Sequence, residues 1–396
     1  MFPRILELAI LPSYQSFFLF GARTTGKSTL VSEYFKSLTT PTLTYNLLKS
    51  DDYLRLHSRP SILRHEIESL LKKQSSSILQ VHIDEVQKIP PLLDEVHALL
   101  ETYPKKVRFI LSGSSARKLK KGGANLLAGR AWQRHLYPLT LVELGDDFNL
   151  DAVLRFGSLP PLLGISEEEK KEFLKTYVST YLREEIQAEA LTRRLDSFHR
   201  FLEAAARCNT ELVNMTAVAQ EAMVPRKTVA SYYQILEDTM TGFFLPSWGH
   251  RLSRKELVTH GKFYFFDTGV VSSLNRQLDA PVDRQNPSYG KLFEHFCILE
   301  FLRLHDYKRT EHQTGFYRTL AGGEVDLVQE RQGKIRAIEI KAQEQVRSAD
   351  IRGLLGFGKD FPSAKLIVVC LAPQAYQIEG VTCFPYKDFL NAEWTS

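Results

Sequence analysis

The chain has 396 residues, 43% hydrophobic and 24% charged, so it is long enough for about two to four domains with cores of their own. Its formal charge of +5 permits nucleic acid as a partner without requiring it, and the spacing of its four cysteines disfavours a disulfide framework or a cysteine-rich zinc site. Glu7 and Pro12 interrupt the first apolar stretch, which makes it a poor signal peptide. No apolar run reaches the roughly 18 residues of a spanning helix, so we expect a cytoplasmic protein with no membrane partner.

Short apolar runs alternate with helical patterns from the first residue to about residue 145. The runs lie at Phe17–Phe20, Leu43–Tyr45, Leu79–Ile83 and Val107–Leu111. Strands separated by helices predict a parallel α/β sheet.

A glycine-rich loop follows the first apolar run, and its sequence GARTTGKS matches the phosphate-binding pattern GxxxxGK[ST]. Backbone N–H groups of such a loop surround phosphates, the lysine neutralises their charge, and the last hydroxyl ligates Mg²⁺. The flanking strand and helix place a helix N-terminus at the phosphates, which an incidental glycine-rich turn would not. We therefore expect ATP and Mg²⁺ as cofactors. The residues predicted to bind them are Gly21, Ala22, Arg23, Thr24, Thr25, Gly26, Lys27, Ser28 and Thr29.

The third apolar run ends in two acidic residues, Asp84 and Glu85. A carboxylate at the end of a buried strand is costly without a cation. We expect Asp84 to contact Mg²⁺ directly or through water, and Glu85 to activate the attacking water. An exposed pair of strand-end carboxylates is the alternative.

Two further polar residues are candidates for the same catalytic site. The next strand ends at Ser112, whose hydroxyl would contact the γ-phosphate or the water, unless it only belongs to a strand-end turn. Arg130 would be an arginine supplied across a subunit interface to stabilise transition-state charge, with a solvated arginine as the alternative. The first interpretation of Arg130 implies a homo-oligomer.

Residues from about 150 to 255 have a mostly helical pattern. Within them, Thr216–Met223, the turn Val224–Lys227 and Thr228–Asp238 are typical of a winged helix-turn-helix, with Val229 and Leu236 facing the core. The residues predicted to contact DNA are Arg226, Lys227, Ser231 and Tyr232 in a groove, with Arg251, Arg254 and Lys255 of a wing at phosphates. A helical lid that only packs against the ATPase core, or a protein-docking element, is the alternative.

The segments EVDLVQER and KIRAIEIK alternate apolar and polar residues on either side of a Gln-Gly pair. A two-residue turn there is favoured because Gly333 accepts a positive φ. This turn pairs Arg331 with Lys334, and the same register places Leu327 opposite Ile338 on an apolar face.

On the other face of this hairpin, the register places Asp326 opposite Glu339 and Glu324 opposite Lys341. Opposed Cβ atoms lie only about 4.5–5.5 Å apart, so the first pair would repel unless Mg²⁺ or Mn²⁺ bound there. Lys341 would orient the nucleophilic water or stabilise developing phosphate charge. A charged outer face, with Glu324 and Lys341 paired, is the alternative.

These motifs together resemble the prokaryotic AAA-type ATPases that carry an uncharacterised nuclease-like C-terminal domain. The resemblance covers nearly the whole chain and rests on GARTTGKSTL, HIDEVQ, LSGSS, LAGRAWQRHLYPLTLVEL, YLREEI, FYFFDTGV and GGEVDLV with IEIK. It implies that Asp326, Glu339 and Lys341 form a PD-(D/E)xK nuclease site, with Glu294 as the acidic residue of the preceding helix. One departure is Glu185, where aspartate is the more frequent residue.

The fold expected from motifs and resemblance is α/β in three parts. Residues 1–148 would form an AAA+-like P-loop ATPase domain, 149–258 a helical lid with a winged helix-turn-helix, and 259–396 a restriction-endonuclease-like domain. The leading function is an ATP-hydrolysing protein that acts on DNA, with a C-terminal domain that binds DNA and cleaves it with Mg²⁺. An ATP-switched DNA- or protein-binding module without nuclease activity and a protein-remodelling ATPase are the alternatives.

Overall fold

The computed structural model describes residues 3–73, 77–115, 127, 129–181, 195–249 and 261–395. The chain forms two compact units, one of residues 1–137 with 238–240 and the other of residues 138–237 with 241–396. The second unit contains both the middle helices and the C-terminal sheet, so the division at residues 148 and 258 stays a prediction. Glu185, Arg251, Arg254 and Lys255 lie outside the described residues.

The first unit is built on a five-stranded parallel sheet in the order β2-β3-β4-β1-β5. Its strands are β1 Ser16–Phe20, β2 Thr42–Asn46, β3 Leu79–Asp84, β4 Val107–Gly113 and β5 Ala131–His135, and its helices are α1 Lys27–Lys36, α2 Ser50–Ser58, α3 Ser61–Lys73 and α4 Leu92–Thr102. The predicted parallel α/β sheet is confirmed, although the sequence pattern did not reveal β5. Strands β1, β3 and β4 are buried at every position, because helices cover a parallel sheet on both faces.

The strand order brings three polar strand ends together. Strand β4 lies between β1 and β3, and its Ser112 pairs with Leu19 on one side and Asp84 on the other. Strands of a parallel sheet end at one edge, so the glycine-rich loop after β1 opens beside these two residues.

The second unit combines helices with two sheets. Its helices are α5 Leu141–Leu144, α6 Leu150–Phe156, α7 Glu167–Thr176, α8 Leu195–Arg207, α9 Met215–Ala222, α10 Arg226–Asp238, α11 Thr268–Leu274, α12 Pro287–Lys308, α13 Arg352–Asp360 and α14 Tyr386–Thr395. Its strands are β6 Gly242–Leu245, β7 Lys262–Phe265, β8 Gln313–Arg318, β9 Glu324–Arg331, β10 Lys334–Lys341, β11 Lys365–Cys370, β12 Tyr376–Ile378 and β13 Val381–Pro385. None of the helices in the described part of the chain is both long and apolar enough to cross a bilayer.

Helices α9 and α10 form the helical pair predicted from the sequence. Asn214 caps α9 by accepting hydrogen bonds from two backbone N–H groups, and Met223 ends it in the left-handed conformation. Val229 and Leu236 are buried, as predicted. Tyr232 was predicted to reach DNA, and this was wrong. It is 3% exposed and packs edge-on against Phe198, because it lies three residues after Val229 on the helix's apolar stripe.

An antiparallel pair of strands completes this region. Strands β6 and β7 pair from Gly242 with Phe265 to Leu245 with Lys262, and Leu212 adds a single bridge to Lys262. Three helices, α8 to α10, are thus followed by a small sheet.

The C-terminal sheet has the order β12-β13-β11-β10-β9-β8. Strands β9 and β10 form the predicted hairpin, in which Arg331 pairs with Lys334 and Leu327 with Ile338. Both turn residues have positive φ, 51° at Gln332 and 76° at Gly333, as a type I′ turn requires.

Candidate functional site

The glycine-rich loop opens onto an uncapped helix. Thr24 and Gly26 have φ values of 65° and 95°, which turns the backbone before α1. No side chain caps the first turn of α1 at Gly26. The first N–H groups of this helix are therefore available to an anion, and the helix dipole favours negative charge there.

Lys27 is the buried cation of this loop. Its Nζ donates to the carbonyl oxygens of Gly21, at 2.7 Å, and Ala22, at 3.0 Å, and the residue is 5% exposed. Arg4, which the sequence pattern did not reveal, donates from Nη1 to the carbonyl of Thr25 at 3.0 Å and supports the loop from the N-terminal segment.

Asp84 accepts hydrogen bonds from two hydroxyl groups, each of a residue predicted to belong to the site. Ser28 Oγ donates to its Oδ2 at 2.7 Å, and Ser112 Oγ donates to its Oδ1 at 2.5 Å. His82 Nε2 lies 2.7 Å from Ser112 Oγ and must donate, since that hydroxyl gives its own proton to Asp84. Burial lowers the pKa of His82 to about 4, against the effect of Asp84, so the imidazole is neutral at pH 7.

Glu85 follows Asp84 in a strained conformation, with φ 59° and ψ 43°. Gln87, which the sequence pattern did not reveal, donates from Nε2 to Glu85 Oε2 at 2.5 Å and to Ser114 Oγ at 3.1 Å. Gly113 leaves room for this amide, because a Cβ there would collide with it. Gln87 thus fixes the carboxylate predicted to activate water.

These residues fit a magnesium nucleotide. Ser28 and Asp84 already place two hard oxygen atoms in contact, and the two would hold Mg²⁺. The ion would supply charge neutralisation at the phosphates.

Arg130 lies on the surface of the first unit. Its Nη2 lies 2.6 Å from Glu101 Oε1, and its side chain is 40% exposed. This position suits a solvated arginine and an arginine presented to a neighbouring subunit equally well.

A second group of acidic side chains lies in the second unit around Lys262. The Nζ of Lys262 lies 2.7 Å from Glu324 Oε1, 3.3 Å from Glu294 Oε1 and 3.7 Å from Asp326 Oδ1. Tyr264, two residues along β7, donates to the same Glu294 oxygen at 2.8 Å. We call the four carboxylates of Glu294, Glu324, Asp326 and Glu339 the carboxylate cluster.

The partners within this cluster differ from those of the alternative interpretation, a charged outer face on which Glu324 pairs with Lys341. Lys341 Nζ instead contacts Glu339 Oε1 at 2.7 Å, while Glu324 contacts Lys262 and Arg318. Glu324 contacts Lys262 in place of Lys341, because β7 brings the Lys262 ammonium group closer to it.

Hydrogen bonding and burial set the charges of the cluster. Asp326 Oδ2 accepts from the backbone N–H of Ile340 at 2.9 Å, while Glu339 Oε2 is buried without a hydrogen-bond partner. Burial, with a contribution from Asp326, raises the pKa of Glu339 to about 8. Burial raises the pKa of Glu294 to about 7, and Lys262 opposes that rise.

The cluster does not fit a resident divalent metal, although the hairpin register predicts one at Asp326 and Glu339. Lys262 occupies the space between Glu294, Glu324 and Asp326. Across the described ranges of the chain, no set of three or more His, Cys, Asp or Glu side chains is arranged to hold a metal ion. Sequence reasoning missed Lys262, whose only signal is a lysine that begins an apolar strand.

Comparisons with known proteins identify the class of the first unit. The profile described as an AAA domain matches residues 13–145, and two profiles described as domains of unknown function, DUF8612 and DUF4143, match residues 147–281 and 289–389. The AAA match and the parallel sheet with its glycine-rich loop make the first unit an AAA-type P-loop domain.

The curated relatives that match this chain are described only as uncharacterized proteins. An uncharacterized protein of Mycobacterium tuberculosis is 25% identical over 323 residues, 82% of this chain and 69% of the relative. An uncharacterized protein of Haemophilus influenzae is 22% identical over 72% of this chain and 73% of the relative. A chain in the structure of Drosophila ORC bound to GC-rich DNA and Cdc6 aligns with 68% of this chain and 88% of its own length at 10% identity. Its TM-score of 0.25 is too low to support an inference.

Proposed function

We propose that the first unit hydrolyses ATP with Mg²⁺. The observation that carries this proposal is the contact of Ser28 and Ser112 with the two oxygens of Asp84, beside the buried Lys27. This arrangement joins the loop that would bind phosphates to the strand ends that would bind the metal.

In the proposed reaction the protein positions ATP and moves one proton. Lys27 leaves its two loop carbonyls to contact the β- and γ-phosphates, while the N–H groups at the start of α1 bind phosphate oxygens. Glu85 accepts the proton of the attacking water, and Gln87 holds its carboxylate. Ser112 fixes Asp84 from the neighbouring strand.

The test is phosphate release from ATP by purified protein with Mg²⁺, alone and with linear, single-stranded or branched DNA. Lys27→Ala serves as the blank. We expect hydrolysis by the wild type only, and a rate raised by DNA. Hydrolysis equal in the blank would contradict the assignment of the site, whereas a rate indifferent to every DNA form would indicate a protein ligand.

We further propose that the second unit contacts DNA through α9, α10 and the β6–β7 strands, as a winged helix-turn-helix. Arg226, Lys227 and Ser231 are exposed in the first two turns of α10. The test replaces Arg226 and Lys227 together with alanine. We expect weaker DNA binding and a salt dependence reduced by about one to two phosphate contacts. Lys359→Ala, another exposed cation of the unit, is the control and should leave both unchanged.

We separately propose that the protein forms a homo-oligomer, and this proposal rests on Arg130. If Arg130 acts in a neighbour's site, Arg130→Ala should lower the rate of hydrolysis by about 10³–10⁵-fold. Mixing it with Lys27→Ala should restore activity, because some sites would then combine an intact loop with an intact arginine. Full activity of Arg130→Ala would refute the role.

The second candidate function is an ATP-switched binding protein without nuclease activity, and Lys262 is the observation that favours it. The test incubates wild type and Glu339→Ala with DNA and Mg²⁺ or Mn²⁺. We expect no cleavage above background from either. Cleavage by wild type that disappears in Glu339→Ala would instead establish a nuclease.

A further inference from the structure

The carboxylate cluster contains a lysine delivered from a different sheet. Lys262 begins β7, whereas Glu324, Asp326 and Glu339 belong to the C-terminal sheet and Glu294 to α12. The Lys262 side chain is 4% exposed and contacts three of the four carboxylates. From this geometry we propose that the Lys262 ammonium is the resident cation of the cluster and takes the place of a divalent metal ion.

The backbone holds this ammonium group in place. Lys262 pairs with Leu245 in β6 and forms a bridge with Leu212, so its strand is fixed on both sides. Its Nζ also lies 5.8 Å from the centre of the Phe316 ring, which covers it. A cation held at both its backbone and its charged end is difficult for a dissolved ion to displace.

The charges around the cluster agree with this role. Four carboxylates face three cations, namely Lys262, Lys341 and Arg318. Removal of Lys262 leaves the four carboxylates with only two of these cations, and a bound divalent ion would replace the positive charge that was lost. The Lys262 ammonium group therefore supplies positive charge that a metal ion would otherwise supply.

One oxygen shows where an ion would bind once the lysine was removed. Glu339 is 7% exposed, and its Oε2 is buried without a hydrogen-bond partner. Asp326 Oδ1 would lose Lys262 and become a second acceptor. These two oxygens would then be the hard carboxylate ligands that Mn²⁺ and Ca²⁺ accept.

The experiment measures Mn²⁺ binding by the loss of the free-ion electron paramagnetic resonance signal. Nucleotide-free full-length protein carries Asp84→Asn in every sample, so that the P-loop site does not contribute and the result is independent of the proposed ATPase. The variants compared are Lys262→Ala, Lys262→Arg, Glu339→Gln, Lys262→Ala with Glu339→Gln, and Lys365→Ala as an exposed-lysine control.

We expect Lys262→Ala to bind Mn²⁺ at least about tenfold more tightly than its parent, and to be stabilised by Ca²⁺ in thermal unfolding. Lys262→Arg and Lys365→Ala should behave as the parent, and Glu339→Gln should remove the new binding. If Lys262→Ala folds only when Ca²⁺ or Mn²⁺ is added, the proposal is supported in the same way. Mn²⁺ binding by the parent that Glu339→Gln abolishes would overturn it, and so would the absence of tighter binding in Lys262→Ala.

Discussion

The two acidic sites of this molecule hold their carboxylates by different means. Asp84 is bound by the hydroxyl groups of Ser28 and Ser112, which are neutral donors. The carboxylate cluster of the second unit is bound by the ammonium groups of Lys262 and Lys341. Hydroxyls satisfy hydrogen bonds but leave the negative charge, whereas ammonium groups neutralise it.

This difference has a chemical consequence. A carboxylate with neutral partners still attracts a divalent ion, and a serine hydroxyl can change from donor to metal ligand without leaving its place. A carboxylate already neutralised by a buried lysine gains much less from a metal, which must first displace the ammonium group. Two acidic sites can thus look alike in sequence and differ in the cation they accept.

The largest effect is expected at the hydrolysis step of the first site. Glu85→Gln keeps the side-chain shape but removes the proton acceptor, so we expect the hydrolysis rate to fall by about 10²–10⁴-fold. ATP binding, measured by fluorescence of a nucleotide analogue, should change little. A rate within about twofold of wild type would show that Glu85 is not the base, whereas lost binding would show a damaged site.

The next largest effect is expected at the second site. Lys262→Met retains the apolar stem but removes the charge, leaving buried carboxylates uncompensated. We expect the free energy of unfolding in EDTA to fall by about 3–5 kcal/mol. Adding Asp326→Asn to this variant should recover part of the loss, since it removes one of the repelling charges. Equal stability of wild type and Lys262→Met in urea unfolding would show that the Lys262 charge does not stabilise the cluster. The proposed difference between the two sites would then be wrong.

A smaller effect is expected for Ser112→Ala. The change removes the donor to Asp84 Oδ1 and leaves His82 without its contact. We expect a loss of about 1.5–3 kcal/mol in unfolding free energy, as for a hydrogen bond to a charged group, and slower ATP hydrolysis. Ser112→Thr, which keeps the hydroxyl, is the matched control. A stable alanine variant with normal hydrolysis would show that Asp84 does not depend on its neutral partners.

Local patterns in the sequence were sufficient to predict much of this structure. The Gln332-Gly333 turn fixed the hairpin register, because a two-residue turn allows only one pairing of its flanks. The loop motif and the apolar runs predicted the order of strand, loop and helix around Lys27. In each case the residues that determine the structure are neighbours in the chain.

The features missed depend on contacts between distant residues. Lys262 precedes Asp326 by 64 positions (326 − 262), and nothing in its local sequence indicates that β7 delivers it to β9. Tyr232 was misassigned for a related reason. Its position on α10 suits a polar groove or a buried aromatic cluster, and its contacts with Phe198 and Phe201 on α8 distinguish the two.

The smallest effect is expected at a buried carboxylate that has both neutral donors and a cation as partners. Glu300 on α12 accepts from Leu141 N and Trp394 Nε1, each at 3.2 Å, and has Arg303 at 3.5 Å. Burial raises its pKa to about 7, and Arg303 opposes that rise. Its folded-state pKa therefore lies above the unfolded value of about 4.3.

The sign of the effect follows from this shift. The folded protein holds the Glu300 proton more tightly than the unfolded chain, so stability is present at low pH and is lost as pH rises through about 7. Glu300→Gln cannot ionise, and its melting temperature should fall less than that of wild type between pH 5 and pH 8. If the melting temperatures of wild type and Glu300→Gln fall in parallel as the pH rises, Arg303 neutralises Glu300 as fully as Lys262 neutralises its cluster. Hydrogen bonds from neutral donors would then not explain the difference between the two kinds of site.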